Sequence, residues 1–172
     1  MIILITGATH TGKTLLTKML IEKYKYRALS IDHLKMGLIR SGYTKLTPYD
    51  DDKLTSFLWP VVREMIKTAI ENEDDLIVEG AYIPNNWKED FSKSYLDNIR
   101  LIALAMSESY IKNHFNDILK YESVVEKRLI ENDITINNLI EENNKYINDF
   151  KDDITIINNN YMDVISKLCE EI

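Results

Sequence analysis

The chain has 172 residues, 45% of them apolar, and a formal net charge of −7. That length suits one domain with a full core, spanning 1–172. The acidic balance argues against a general binder of nucleic acid or of anionic membrane, which carries a basic stripe. No apolar run reaches membrane-spanning length. A single cysteine, Cys169, excludes an internal disulfide, and no basic flank with a small-residue cleavage site opens the sequence. The expectation is a cytoplasmic protein with neither nucleic-acid nor membrane partners; composition says nothing of its oligomeric state.

The first predicted element is a strand at 2–6, carried by Ile2-Ile3-Leu4-Ile5. It runs into Gly7-Ala8-Thr9-His10-Thr11-Gly12-Lys13-Thr14, which reads G-x-x-x-x-G-K-T, the P-loop pattern. Leu15, Leu16, Met19 and Leu20 then recur at helical spacing. Strand, glycine loop and helix are the context this motif needs. The two glycines let the backbone curl so that several N–H groups form an anion nest, and the helix adds its positive end. Lys13 supplies a mobile charge for the β- and γ-phosphates, and the Thr14 hydroxyl suits a Mg²⁺ ion bridging them. A nucleoside triphosphate, ATP by preference, is the expected ligand. Gly7, Thr9, His10, Thr11, Gly12, Lys13 and Thr14 would hold it.

Further strands are expected at 28–31, 76–79, 99–105 and 154–157, separated by helical patterns. That alternation predicts an α/β fold with a largely parallel sheet, whose ligands bind beyond the carboxyl ends of the strands. After the second strand, Asp32 is either a helix N-cap or a carboxylate facing a phosphoryl acceptor, and one residue can be both. Lys35 and Arg40, on the helix over 32–40, are candidates for an anionic group on the acceptor; His33 reads as a surface imidazole. The next helix is expected to start with Thr47 as N-cap and Pro48 at its first position, with Asp50 to Asp52 in its first turn. Leu54, Leu58, Val61, Val62, Met65, Ile66, Ala69 and Ile70 form its buried face, and Pro60 should kink it. Arg63 reads as a surface residue.

The third strand ends in Glu79-Gly80. A carboxylate at that place is Walker-B-like and would hold the magnesium shell or order the P-loop. The stretch after it, with Trp87 and Phe91, reads as irregular and those aromatics as local core. Ser107 is expected to cap the helix after the fourth strand, with Tyr110, Ile111, Phe115, Ile118 and Leu119 on its apolar side. The segment 107–130 reads as a small lid, with Lys112, His114, Lys120, Lys127 and Arg128 as its cations. Arg128 is preferred, because a guanidinium is the better oxyanion fork. From Glu131 to Asp153 acids outnumber lysines, a stretch that repels phosphates. Asn158-Asn159-Asn160 closes the last strand; such amides suit an adenine edge, Asn159 in particular, and equally suit turns. A helix from Tyr161 to Glu171 ends the pattern.

Two branches of P-loop proteins are excluded by absence. No aspartate lies three residues before any glycine, so a GTPase D-x-x-G switch is missing, and Asn144-Lys145-Tyr146-Ile147 lacks the aspartate of N-K-x-D. Glu79-Gly80 stands where ring-forming ATPases usually carry D-E. The chain resembles the nucleoside-monophosphate-kinase-like branch of P-loop kinases over essentially its whole length: an N-terminal P-loop, five strands, a basic lid stretch after the fourth and a closing helix. Glu79-Gly80 looks like that branch's acidic-Gly turn, and Asp32-His33-Leu34-Lys35 stands where adenylate kinases carry Asp followed by a phosphate-gripping arginine. Lys35 replaces that arginine, and Glu79-Gly80-Ala81-Tyr82-Ile83-Pro84 lacks the arginine of D-G-F-P-R. These departures favour the small-molecule relatives, which resemble 2-phosphoglycerate kinases, zeta-toxin-type kinases and antibiotic phosphotransferases. The resemblance implies a three-layer P-loop fold with a five-stranded, mainly parallel sheet, helices on both faces and a small helical lid. It also implies transfer of the γ-phosphate of ATP to a hydroxyl of a small molecule, with Asp32 as base, Lys13 and Arg128 as charge stabilisers and Thr14 and Glu79 at the magnesium ion. The alternatives are a nucleoside monophosphate kinase and a non-catalytic ATP-binding regulatory or toxin–antitoxin module.

Overall fold

The computed structural model of the chain describes residues 1–125 and 134–172. Five strands, β1 (Ile2–Gly7), β2 (Arg27–Ser30), β3 (Leu76–Glu79), β4 (Ile99–Met106) and β5 (Ile154–Ile157), form one sheet in the order β2-β3-β1-β4-β5. The pairs β1–β3, β2–β3 and β4–β5 are parallel. Parallel strands need crossover connections, and helices supply them: α1 (Lys13–Tyr24), α2 (Ile31–Arg40), α3 (Asp51–Glu71), α4 (Lys93–Leu96), α5 (Glu108–Val125) and α6 (Ile136–Asp149), while α7 (Tyr161–Glu170) follows the last strand. This is the expected three-layer α/β class. Ile2, Ile3, Leu4 and Ile5 are all fully buried. An unbroken apolar run marks a strand covered on both faces, which is why β1 reads without alternation.

Two compact units make up the chain: Met1–Thr6 with Tyr24–Ile102, and Gly7–Lys23 with Ala103–Ile172. In the first, the register sets Ile5 and Ser30 each opposite Glu79, so β2 and β3 finish abreast while β1 runs on. An aromatic group packs beside α3, with Trp59 and Trp87 each edge-on to Phe91 at ring separations of 6.2 and 6.1 Å. Asp90 ties it together, accepting from Trp59 Nε1 at 2.7 Å and Arg63 Nη1 at 3.0 Å. The Trp59 bond first, then Arg63, holds the Asp90 carboxyl below its ordinary range. Trp87 and Phe91 are thus local core, as read from sequence.

In the second unit, Met106, Tyr110, Ile111, Leu139 and Ile157 form a buried cluster, with Phe115, Ile118 and Tyr161 packed against it. Asn143 of α6 is 1% exposed. Its Oδ1 accepts from Met106 N–H at 2.7 Å and its Nδ2 donates to Leu139 O at 2.7 Å. One amide thereby joins α6 to the end of β4, satisfying a strand-end donor that burial would otherwise strand.

Several boundaries differ from expectation. Asp32 is not the N-cap of α2; Ser30 is, its hydroxyl accepting from His33 N–H, so the helix begins at Ile31 and β2 covers 27–30. Thr47 is not the N-cap of α3 either. Asp50 is the cap residue of α3, and its carboxylate accepts from Thr47 N–H and Oγ1 at 2.9 and 2.8 Å, so Pro48 lies before the helix. Helical backbone continues through Pro60. Val61 and Met65 are 46% and 40% exposed, and the buried row of α3 runs through Leu54, Leu58, Val62, Ile66 and Ala69, with Trp59 beside it. The stretch after β3 is less irregular than its sequence suggests, holding a 3₁₀ turn at Trp87–Asp90 and then α4. Ser107 does cap α5, accepting from Tyr110 N–H at 3.2 Å, and that helix bends at His114. Ser107 to Val125 of the expected lid are therefore mostly helical, while the rest of it lies outside the described residues.

Candidate functional site

The P-loop pattern folds as a tight glycine loop in the second unit. His10 and Gly12 both take left-handed backbone, with φ 64° and 85°. Left-handed residues set among right-handed ones turn successive N–H groups to one side, which makes an anion nest. Ala8 N–H donates to Leu104 O at 3.1 Å, and the buried Thr11 hydroxyl donates to Ala8 O at 2.7 Å. Lys13 Nζ donates to Gly7 O and Ala8 O at 2.9 and 2.8 Å. Two carbonyls thus fix the ammonium against the loop, where a free lysine would lose rotamer entropy on binding a phosphate. Leu16 N–H to Gly12 O, 2.9 Å, opens α1, and Thr14 is the second residue of that helix, half-buried.

Two contacts to this loop come from far along the chain. Tyr161, the first residue of α7, lies over Gly12: a Cβ there would overlap the phenol oxygen and stand 2.6 Å from Cζ. Gly12 is therefore required twice, by φ and by its neighbour. Burial, then the nearby Tyr110, pushes the Tyr161 hydroxyl up to about 12. The second contact is Glu142 of α6, whose Oε1 accepts from Thr9 N–H at 2.7 Å and from Thr9 Oγ1 at 2.8 Å. Sequence reading missed both. It treated the acidic stretch as remote from phosphate and Tyr161 only as a helix start.

The first unit gathers the acceptor candidates. Asp32, in the first turn of α2, pairs with Lys35 Nζ at 2.6 Å. The same Nζ donates to Tyr82 Oη at 2.9 Å, and Tyr82 Oη donates to Asp51 Oδ1 at 2.8 Å. Tyr82 is 5% exposed and the Lys35 side chain 12%, so this line of carboxylate, ammonium, phenol and carboxylate is a fixed feature. Sequence pattern brought Asp32 and Lys35 forward but gave no sign of Tyr82 or Asp51. Glu79 closes β3 and is 5% exposed.

Other candidates lie elsewhere. Arg40 is exposed at the far end of α2, eight residues or about 12 Å of helix beyond Asp32. Arg63 is engaged by Glu64 and Asp90. Asn159 is exposed, and its neighbour Asn160 caps α7 by accepting from Met162 N–H at 3.0 Å. Lys112 is bound to Glu108, and His114 stacks on Tyr110 with rings 4.4 Å apart. Arg128 and Lys127 lie outside the described residues. No helix among the described residues is long and apolar enough to cross a membrane.

No known protein family matches the chain, and no curated protein does. Solved structures do. Shikimate kinase from Aquifex aeolicus vf5 is 20% identical, with 99% of this chain and 95% of that one covered and a TM-score of 0.51. Shikimate kinase from Bacteroides thetaiotaomicron is 14% identical over 99% and 97%, TM-score 0.54. A putative kinase from Chloroflexus aurantiacus J-10-fl is 12% identical over 99% and 97%, TM-score 0.52. At such identities the likeness is one of fold, and the fold of this chain is that of the small P-loop kinases typified by shikimate kinase.

Proposed function

We propose that the chain is an ATP- and Mg²⁺-dependent phosphotransferase that moves the γ-phosphate to a hydroxyl of a small molecule. The observation that carries this reading is the P-loop itself: a nest built on His10 and Gly12, with the Lys13 ammonium fixed on two loop carbonyls. The fold shared with shikimate kinases supports it.

The loop N–H groups and Lys13 bind the phosphate chain and neutralise charge on it. The Mg²⁺ ion would be held by one or two protein oxygens and by phosphates. Thr14 would hold that ion with Glu79 ordering its waters, and when bound it polarises the transferred group. Asp32, oriented by Lys35, receives or aligns the acceptor hydroxyl. Arg128 stabilises charge on the group in flight. Catalysis is then positioning and electrostatics, as phosphoryl transfer requires.

A hydroxyl acceptor is favoured over a nucleoside monophosphate by the state of Lys35. Its charge is shared between Asp32 and Tyr82, and Asp51 adds a second carboxylate. Such a group is poorly suited to grip a phosphate dianion.

The test is ADP release from Mg·ATP across a panel of nucleoside monophosphates, phosphoglycerates, sugars, UDP-sugars and aminoglycosides, with Lys13→Ala as control. A signal that needs an acceptor and vanishes in Lys13→Ala establishes the activity; ATP binding with silence across the panel favours a non-catalytic module. With the acceptor in hand, Asp32→Asn should lower kcat by about 100-fold or more. Retained kcat would exclude Asp32 as base and restore the monophosphate reading.

A further inference from the structure

A carboxylate is bound to the P-loop. Glu142 Oε1 accepts two hydrogen bonds from Thr9, one from the loop amide and one from its hydroxyl, at 2.7 and 2.8 Å. Short bonds to an ionised acceptor are the strong kind. The amides of such a loop exist to bind anions, and here one of them already holds one. A nucleotide phosphate bound at that amide would meet both an engaged donor and a like charge.

The placement is built rather than accidental. Glu142 is half-buried and precedes Asn143, the buried amide that joins α6 to Met106 at the end of β4. Leu139, one turn earlier, is 2% exposed within the core cluster. A helix pinned through Leu139 and Asn143 has little freedom to swing Glu142 away unaided.

We infer that Glu142 is a built-in competitor for the outer phosphate of the nucleotide, so that a triphosphate gains the Thr9 station only by displacing it. This inference rests on the P-loop binding ATP, as proposed above. It assigns Glu142 a part in nucleotide affinity, and it makes α6 a helix whose docking responds to ATP. If Glu142 holds the amide about nine-tenths of the time, apparent ATP affinity is lowered about tenfold, by the fraction of competent loop.

The test measures Mg·ATP and Mg·ADP binding by calorimetry, without any acceptor, for the full chain and for Glu142→Gln and Glu142→Ala. Thermal unfolding of each variant shows that it is folded. The expected result is ATP binding tightened about tenfold in both folded variants, with ADP gaining less. In the wild-type chain, amide exchange over 136–149 should rise when Mg·ATP is added; in Glu142→Ala it should already be raised. ATP that binds all three proteins equally, or binds the folded variants more weakly, overturns the inference and makes Glu142 a structural latch. Failure of all three to bind ATP overturns the nucleotide-binding reading as well, so the two failures are told apart.

Discussion

Replacing Asn143 by alanine isolates the bond that seats α6. The side chain is 1% exposed and makes two hydrogen bonds of 2.7 Å, to Met106 N–H and Leu139 O. The two losses are unequal. Leu139 O lies within α6 and retains a main-chain donor one turn on. Met106 N–H is left buried without an acceptor, which costs about 1–3 kcal/mol. The void adds about 1 kcal/mol. A central loss of about 3 kcal/mol in a chain of this size lowers Tm by about 6–12 °C. Scanning calorimetry on wild type and Asn143→Ala measures it. Asn143→Asp sharpens the case: an aspartate keeps an acceptor for Met106 but turns a lone pair toward Leu139 O. Only the protonated acid can donate there, so its folded pKa rises above the unfolded value. The stability of Asn143→Asp should therefore be recovered in acid and lost as pH rises through the folded pKa. A Tm for Asn143→Ala within about 2 °C of wild type, less than 1 kcal/mol at this size, would refute the reasoning.

Two further outcomes follow from the loop. Gly12→Ala should be destabilised by about 1–2 kcal/mol from its left-handed backbone alone, with a further loss from collision with Tyr161; adding Tyr161→Ala to Gly12→Ala should remove the collision penalty and leave the backbone one, a non-additivity read from a double-mutant cycle in urea. Because the Tyr161 hydroxyl is pushed up to about 12, the folded chain holds that proton where the unfolded chain has released it. Its contribution is present below pH 10 and is lost as pH climbs from 10 toward 12. Tyr161→Phe should flatten that part of the alkaline unfolding curve, and an unchanged slope would count against the buried phenol.

Legibility in the sequence follows contact range. The P-loop was readable because its chemistry lies in eight consecutive residues. β1, β3 and β5 were readable because each is a short apolar run with bounding turns. Helix starts were harder. Ser30 and Asp32 are both good caps two residues apart, as are Thr47 and Asp50 three apart, and in each pair the residue chosen from sequence was the wrong one. Side-chain reach decides between such neighbours, and spacing does not contain it. The partners of Asp32 were half legible: Lys35 is a helical neighbour, whereas Tyr82 arrives from beyond β3. Glu142 was the least legible, because a carboxylate in an acidic stretch looks solvated until the fold sets it on a loop amide.

The separation between Thr9 and Glu142 is 133 residues, and Tyr161 lies farther along still. This gives the motif a history during synthesis. Its eight residues leave the ribosome well ahead of the segments that contact them. Contacts of such long range close late and slowly. Until Tyr161 reaches Gly12, the glycine loop lacks a neighbour that the folded chain gives it. A nucleotide bound as proposed above would meet that loop with Tyr161 already over Gly12, and would add its stabilisation late.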